Sequence, residues 1–440
     1  MMETMKDSGI RWIGEIPENW DIKRIKYVAN LKGRIGWQGL TSDEYQDEGA
    51  CLITGVDFLD GGIDWENCFH VPMKRWEEAK DIQIENGDLL ITKDGTVGKV
   101  AIVSDMPGAT SLNSGVLRIM PIEGYSRRFL YWVIQSEEFW NWFNYKNAGN
   151  STIIHLYQGD FAEFVYAFPS YDQQEAIANY LDKHCAKLDS IISDLEAQIE
   201  TLHKYKKNLI TETVTKGLDK SVLLKDSGIE WIGKIPEHWD IKPLNHVSNL
   251  RNGYVGPTQD LFVDEGTIYL QSLHIKEGKI TFDNYPPYFV PENWAKLHPI
   301  IHTGDVLIVQ TGEIGQIGLT TEEFDGCSCH ALIIASPAPE LLCGAFLRYY
   351  FMSSVGIDSL LMFQTGTTLL HLNSTKIKHS KVILPPYDEQ KIIVDFLDKK
   401  ISIVDGLIDK KNAQLNVAKR LKRSEIYEFI TGKKRIKEAI

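Results

Sequence analysis

The stretch "KDSGIRWIGEIPENWDIK", Lys6 to Lys23, returns as "KDSGIEWIGKIPEHWDIK", Lys225 to Lys242, with 15 of 18 positions identical. Two further blocks recur in the same order. "GDLLITKDGTVG" from Gly87 comes back as "GDVLIVQTGEIG" from Gly304, and "FPSYDQQEAIANYLDK" from Phe168 as "LPPYDEQKIIVDFLDK" from Leu384. The offsets are 219, 217 and 216. So little drift means one half-length unit duplicated in tandem, not a solenoid of short repeats. Whatever this chain folds into, it must build nearly the same object twice, and its 440 residues leave room for two to four domains.

Each unit changes character along its length. Short apolar runs such as "DLLIT" and "KVAIV", broken by Gly, Pro, Asn and Asp, predict short strands and loops of a mixed domain. After "FPSYD" the Gly and Pro vanish and a helical pattern begins, with Asp172 and Glu175 spaced as a capping pair. A heptad steps through Leu181, Cys185, Leu188, Ile192, Leu195, Ile199, Leu202, Lys206 and Leu209. The same register moved by 216 gives Leu397, Ile401, Val404, Ile408, Lys411, Leu415, Ala418, Lys422 and Glu425. Two such stripes are expected to bury against each other, the second being weakened by Lys411, Lys422 and Glu425. A helix from Asp172 to Thr215 would be about 66 Å long, roughly two turns of B-form DNA.

Catalytic motifs fail on inspection. "KDGTVGKV" from Lys93 lacks the first Gly of a phosphate-binding loop and has Val100 where the hydroxyl belongs. "NYPPY" from Asn284 has an extra Tyr285 and reads as a Pro-rich turn. "DFLDKK" from Asp395 falls inside the heptad helix, where its charges form a solvated face. His155 and His371, matched in "TIIHL" and "TLLHL", read as hydrogen-bonded packing residues. The six cysteines are scattered, and Cys327 with Cys329 lacks the second pair of a zinc site, so reduced, buried thiols are expected. No run of apolar residues is long enough to span a membrane and the start lacks a signal-peptide pattern, which makes the expected address cytoplasmic.

The duplicated "IGEIPENW" and "IGKIPEHW", the "GDLLITKDGTVGKVAIV" strand and loop, and "PPYDEQ" leading into a long helix resemble the specificity subunit of Type I restriction-modification systems. The likeness spans nearly the whole chain; "PSYDQQ" departs from it by lacking the acid that Glu389 supplies in the second unit. It implies an α+β protein with two mixed target recognition domains, 1–171 and 217–386, in pseudo-twofold arrangement. Two long helices, 172–216 and 387–440, would separate them as an antiparallel coiled coil. Each domain would read one half of an asymmetric, interrupted double-stranded DNA site. Methyltransferase subunits, two by symmetry, would dock on the scaffold, and a motor-nuclease subunit would join them. S-adenosylmethionine, ATP and Mg2+ would belong to those partners, with no catalytic residue, cofactor or metal on this chain. Trp12, Trp20, Trp231 and Trp239 would pack the shared shell or meet the methyltransferase. The rivals are a two-headed coiled-coil adaptor for protein partners and an autonomous DNA methyltransferase.

Charge constrains how such a protein could hold DNA. The net charge is −13. Residues 1–171 and 217–398 each carry −9, and the +7 excess sits in 399–440. Phosphate binding needs local positive charge, so the clusters Lys23, Arg24 and Lys26, Lys32 and Arg34, and Arg127 and Arg128 are expected nearer a duplex. Candidate DNA-contacting residues are Lys32, Arg34, Lys93, Thr96, Lys99, Asn150, Ser151 and Thr152 in the first unit. In the second they are Arg251, Asn252, Gln310, Thr311, Gln316, Thr365, Thr367 and Thr368. Asp94 and Glu313 lie in the same turns and would repel phosphate unless paired.

Overall fold

The computed structural model describes residues 4–34, 40–59, 61–148, 154–256, 258–365 and 371–436. The chain forms two compact units, Met1–Leu195 with Gln414–Ile440, and Glu196–Ala413.

In the first unit a four-stranded antiparallel sheet runs in the order Val100–Ile102, Leu89–Thr92, Val116–Pro121, Ala29–Gly33. Beside it Ala50–Ile53 pairs antiparallel with Phe69–Val71 and parallel with Thr110–Leu112. The second unit repeats both sheets: Ile317–Leu319, Val306–Val309, Leu332–Pro337, Ser248–Asn252, then Thr267–Leu270 between Tyr288–Val290 and Ser328–Cys329. The run "LLIT" is apolar without alternation because both of its faces are covered. Leu89 and Ile91 join the aromatic core of Phe129, Phe139, Phe161 and Phe164, whereas Leu90 packs with Ile53, Ile82 and Leu112.

A third pairing in each unit, Asp21–Arg24 with Val165–Phe168 and Asp240–Pro243 with Lys381–Leu384, leads directly into a long helix. The helices run Tyr171–Lys216 and Tyr387–Ile430. The second therefore stops well short of the expected end at residue 440. Gly432 ends it with φ +71, and a Cβ there would stand 2.5 Å from Pro17 and 3.0 Å from the Trp20 ring. Gly217 ends the first helix with the same φ, its Cβ position 3.1 Å from the Trp239 ring. The left-handed backbone favours glycine at both, and the neighbouring rings leave little room for a Cβ. Of the four repeated tryptophans, Trp20 and Trp239 are thus buried packing residues, Trp12 is half-buried, and Trp231 is exposed.

The helix starts differ from the expected capping pair. Asp172 lies inside the first turn, and the Glu175 carboxylate accepts from Ser126 Oγ. The shared feature is instead the second Gln of "YDQQ" and "YDEQ". Gln174 donates to Pro169 O at 2.9 Å and accepts from Ser126 N at 2.8 Å. Gln390 donates to Pro385 O and Leu341 O at 2.9 Å and accepts from Cys343 N at 2.8 Å. Glu389 turns to the Trp239 indole N–H at 3.0 Å and to His238.

Each unit contains part of both long helices. In the first, Lys422 Nζ meets Asp189 Oδ1 at 2.6 Å, and the Tyr180 and Phe429 rings lie 4.3 Å apart. In the second, Lys206 Nζ meets Asp405 Oδ1 at 2.6 Å and Glu277 at 3.4 Å. The heptad positions are the covered ones. Leu181, Cys185, Leu188, Leu195, Leu397, Ile401, Val404, Ile408 and Ala418 are buried, and Ile192, Ile199, Leu202 and Leu415 are half-buried. Lys422 and Glu425 do not simply fray the seam, because each has a partner: Asp189 for Lys422, and Tyr180 with Lys434 for Glu425.

All six cysteines are free and five are buried; burial pushes the Cys185 and Cys329 thiols up to about 12. No helix of the described residues is long and apolar enough to cross a membrane.

Gln390 is fully buried, so Gln390→Ala would strand the Cys343 N–H and two carbonyls. A loss of about 3 kcal/mol is expected, read as a lower urea midpoint at unchanged slope. An unchanged midpoint would show that the helix start does not depend on this amide.

Candidate nucleic-acid interface

The glycine turn after Leu89–Thr92 is built the same way in both units. Gly95 and Gly98 take φ +70 and +85, and Gly312 and Gly315 take +88 and +79. A Cβ at Gly98 would meet the Trp140 ring at 2.5 Å, and one at Gly315 would meet Ile357 Cδ1 at 2.4 Å. The turn is therefore pressed onto a helix on one side. On the other it is tied to the segment carrying the matched histidine. His155 Nδ1 lies 2.6 Å from Asp94 Oδ1, and the Leu156 N–H donates to Lys93 O at 2.9 Å. His371 Nδ1 lies 2.8 Å from Thr311 Oγ1, and the Leu372 N–H donates to Gln310 O at 2.9 Å. The histidines are thus hydrogen-bonded residues, as the sequence suggested, but what they bond is the candidate reading turn.

Several expected DNA contacts are gathered on this turn and others are not. Thr96 is exposed, Lys93 is half-buried, and Lys99 reaches only Phe58 O at 3.4 Å. In the second unit Thr311 is exposed on the turn and Thr365 donates to His371 O at 3.3 Å, whereas Gln310 is buried and the Gln316 side-chain carbonyl accepts from Glu277 N. Asn252 lies on the strand Ser248–Asn252 and donates to Ser374 Oγ. Asn150, Ser151, Thr152, Thr367 and Thr368 lie outside the described residues.

Arg34 turns inward. Its Nε donates to Leu112 O at 2.7 Å and its NH2 to Ser111 Oγ at 2.9 Å, and burial pulls the guanidinium down to about 10. It is withdrawn from the candidate surface, since it satisfies strand carbonyl and hydroxyl groups. The other basic clusters are also internally engaged. Lys23 binds the Tyr125 hydroxyl, Arg24 and Lys26 bind Glu163, and Lys32 sits 4.0 Å from Asp81. Arg127 donates to Gly87 O, and Arg128 pairs with Asp182. A run of basic residues in sequence says nothing about the acids that the fold brings beside it.

Arg251 is engaged for a reason that the repeat explains. The Asp of each "GD" is buried and accepts a backbone bond: Asp88 from Glu85 N and Asp305 from His302 N, both at 2.9 Å. A buried carboxylate needs a cation. In the first unit Arg118 supplies it, 2.7 Å from Asp88; in the second Arg251 does, 2.8 Å from Asp305. Arg118 pairs across the sheet with Lys32, and Arg251 with Ile334. The arginine has moved between directly opposed positions of one strand pair while its task stayed constant. Sequence reading missed Asp88 and Asp305 as ion-pair centres, although the invariance of "GD" between repeats was the available signal.

Arg251→Ala is expected to cost about 2 to 3 kcal/mol, at the low end for a broken buried pair because Arg251 is partly exposed. Adding Ile334→Arg should restore about half of that by recreating the first unit's arrangement. Thermal melts of the two variants decide it, and a double variant no better than the single would refute the swap.

Among the described residues no group of three or more His, Cys, Asp or Glu side chains could hold a metal ion. The duplicated fold and the repeated turn define the class: a two-domain protein that builds one face twice. The family model described as the Type I restriction modification DNA specificity domain matches residues 17–201 and again 236–417. The chain belongs to this family and carries its domain twice. It is 23% identical over 440 residues to the type I restriction enzyme MjaVIII specificity subunit of Methanocaldococcus jannaschii, covering 96% of this chain and 94% of that one. It is 23% identical over 437 residues to the type I restriction enzyme EcoBI specificity subunit of Escherichia coli, covering 97% and 88%. The fold matches a chain from a solved structure titled for complex assembly and conformational transition of the type I R-M system, with a TM-score of 0.68 at 16% identity, covering 94% of this chain and 98% of that one.

Proposed function

We propose that this protein is the DNA sequence-recognition subunit of a Type I restriction-modification complex. Residues 1–171 and 217–386 are its reading heads, each taking one half of an asymmetric, interrupted site. The two long helices pair as an antiparallel coiled coil, set the spacing between half-sites and dock the methyltransferase subunits. The observation that carries this reading is the turn tied twice by the same histidine while the side chains around it differ. Lys93, Asp94 and Thr96 stand where the second unit has Gln310, Thr311 and Glu313. A common frame with unlike tips suits two unlike half-sites. The chain is non-catalytic in this reading, and S-adenosylmethionine, ATP and Mg2+ belong to partner subunits.

Internal engagement of the basic clusters supports weak DNA binding by the isolated chain. Strong binding then requires methyltransferase subunits closing around the duplex. Exposed apolar residues on the long helices favour two such subunits. Ile191, Val417 and Leu421 are exposed in the first unit, and Tyr205, Ile403 and Leu407 in the second. Ile191 and Leu407, like Tyr205 and Leu421, are separated by the repeat offset of 216, as two equivalent docking sites require.

Mapping methylated bases in DNA exposed to the assembled complex should yield one interrupted motif, and exchanging residues 1–171 for another such domain should alter one half only. A contiguous motif, or both halves changing, would defeat the bipartite reading. Purified alone, the chain should bind the motif at least about a thousandfold more weakly than the assembly, near non-specific affinity. A second measurement addresses docking: Ile403→Asp with Leu407→Asp should lower the methyltransferase stoichiometry from two to one by native mass spectrometry. Unchanged stoichiometry would move the docking surface elsewhere.

A further inference from the structure

Asp94 poses an electrostatic problem for the proposed function. It puts a carboxylate in a turn that would meet DNA, next in sequence to Lys93. The structure answers it in part. Asp94 Oδ1 is held by His155 Nδ1 at 2.6 Å, and the ideal Cβ position of Gly115 lies 3.5 Å from Asp94 Cβ and 3.8 Å from Oδ2. The carboxylate is therefore folded back over Gly115, where a larger residue would crowd it. Lys93, like Lys99 of the same turn, makes no ion pair among the described residues, and it is the one next to Asp94. It is half-buried beside Gly33, whose Cβ position lies 3.6 Å from Nζ, and no carboxylate lies within ion-pair distance among the described residues. Lys23, Lys26, Lys32, Arg118 and Arg128 all have such partners.

Resting on the reading above, we infer that His155 is a positioning residue for DNA binding, holding the Asp94 carboxylate back so that the Lys93 ammonium can meet a backbone phosphate. The second unit carries the control. There the same histidine contact falls on the uncharged Thr311, and Gln310 replaces Lys93. Its turn has no lysine to protect, and its acid, Glu313, stands two residues beyond the Thr311 that the histidine contacts. The two heads thus hold DNA differently: the first takes a phosphate at its glycine turn, and the second does not.

The test uses the assembled methyltransferase complex and a duplex carrying its mapped motif, with affinity measured across a salt series. Lys93→Ala should lower the magnitude of the log K against log salt slope by about 1 and weaken binding about fivefold at physiological salt. His155→Ala should weaken binding comparably. His155→Asn, which keeps a donor near the Nδ1 position, should bind within about twofold of wild type, and so should the double variant Asp94→Asn with His155→Ala. His371→Ala should leave the slope unchanged. A double variant as weak as His155→Ala alone would reduce the contact to loop packing and overturn the inference. An unchanged slope for Lys93→Ala would overturn it as well, even if the complex reads a bipartite motif. An assembly with no sequence-dependent footprint defeats the proposed function itself, and this inference with it.

Discussion

The same ion pair is made twice between the long helices, once within each unit. Lys422 with Asp189 and Lys206 with Asp405 have the same 2.6 Å separation, and each residue of one pair lies 216 positions from its counterpart in the other. Leucines along a heptad stripe can slide by a heptad at modest cost, because one apolar contact resembles the next. A partly buried ammonium cannot, since a shifted register leaves it without its carboxylate. In the proposed coiled coil, the lysines that look like defects in an apolar stripe would then specify alignment at some expense in raw stability. Any function that treats the helices as a spacer needs that specificity more than it needs tight packing.

A second constraint transmits this alignment to the mixed domains. Gln174 and Gln390 each connect the first turn of a long helix to a backbone carbonyl just before it and to a backbone N–H of the domain. Because these amides are buried, rotating the helix relative to the domain would leave polar groups unpaired in an apolar setting. Gly217 and Gly432 act at the other end of the helices, where both take a left-handed backbone and the Cβ position is crowded, by Trp239 at Gly217 and by Pro17 with Trp20 at Gly432. Start and stop are thus fixed by one amide and one missing Cβ per helix. Both devices appear in the two repeats, whereas the glycine turns at 93–99 and 310–316 diverge between them.

The sequence revealed periodicity well and partnership poorly. The heptad positions, the strands at "DLLIT" and the two long helices were legible because burial follows spacing, and spacing is visible in one dimension. The partners of Arg34 and Arg251 were not legible because they come from distant strands: Ser111 and Leu112 for one, Asp305 for the other. The helix stop near Ile430 was overrun for a similar reason, since Pro17 and Trp20, which crowd Gly432, lie at the opposite end of the sequence. The matched histidines were correctly expected to make hydrogen bonds, but their target could not be read from "TIIHL" and "TLLHL".

The acidic net charge follows the same logic. Many basic side chains of the first unit face an acid brought near by folding, so the domain presents less free positive charge than its Lys and Arg content suggests. Electrostatic affinity for DNA scales with phosphates neutralised, not with cations in the sequence. On the proposed reading, a recognition subunit arranged this way would have little means of holding non-specific DNA by itself, which would favour specificity over affinity. Under the proposed function, the affinity would then come from a partner that carries its own positive charge. On that argument the separation of reading from gripping is an electrostatic property of the fold, and an excess of acids on a DNA-reading protein ceases to be a contradiction.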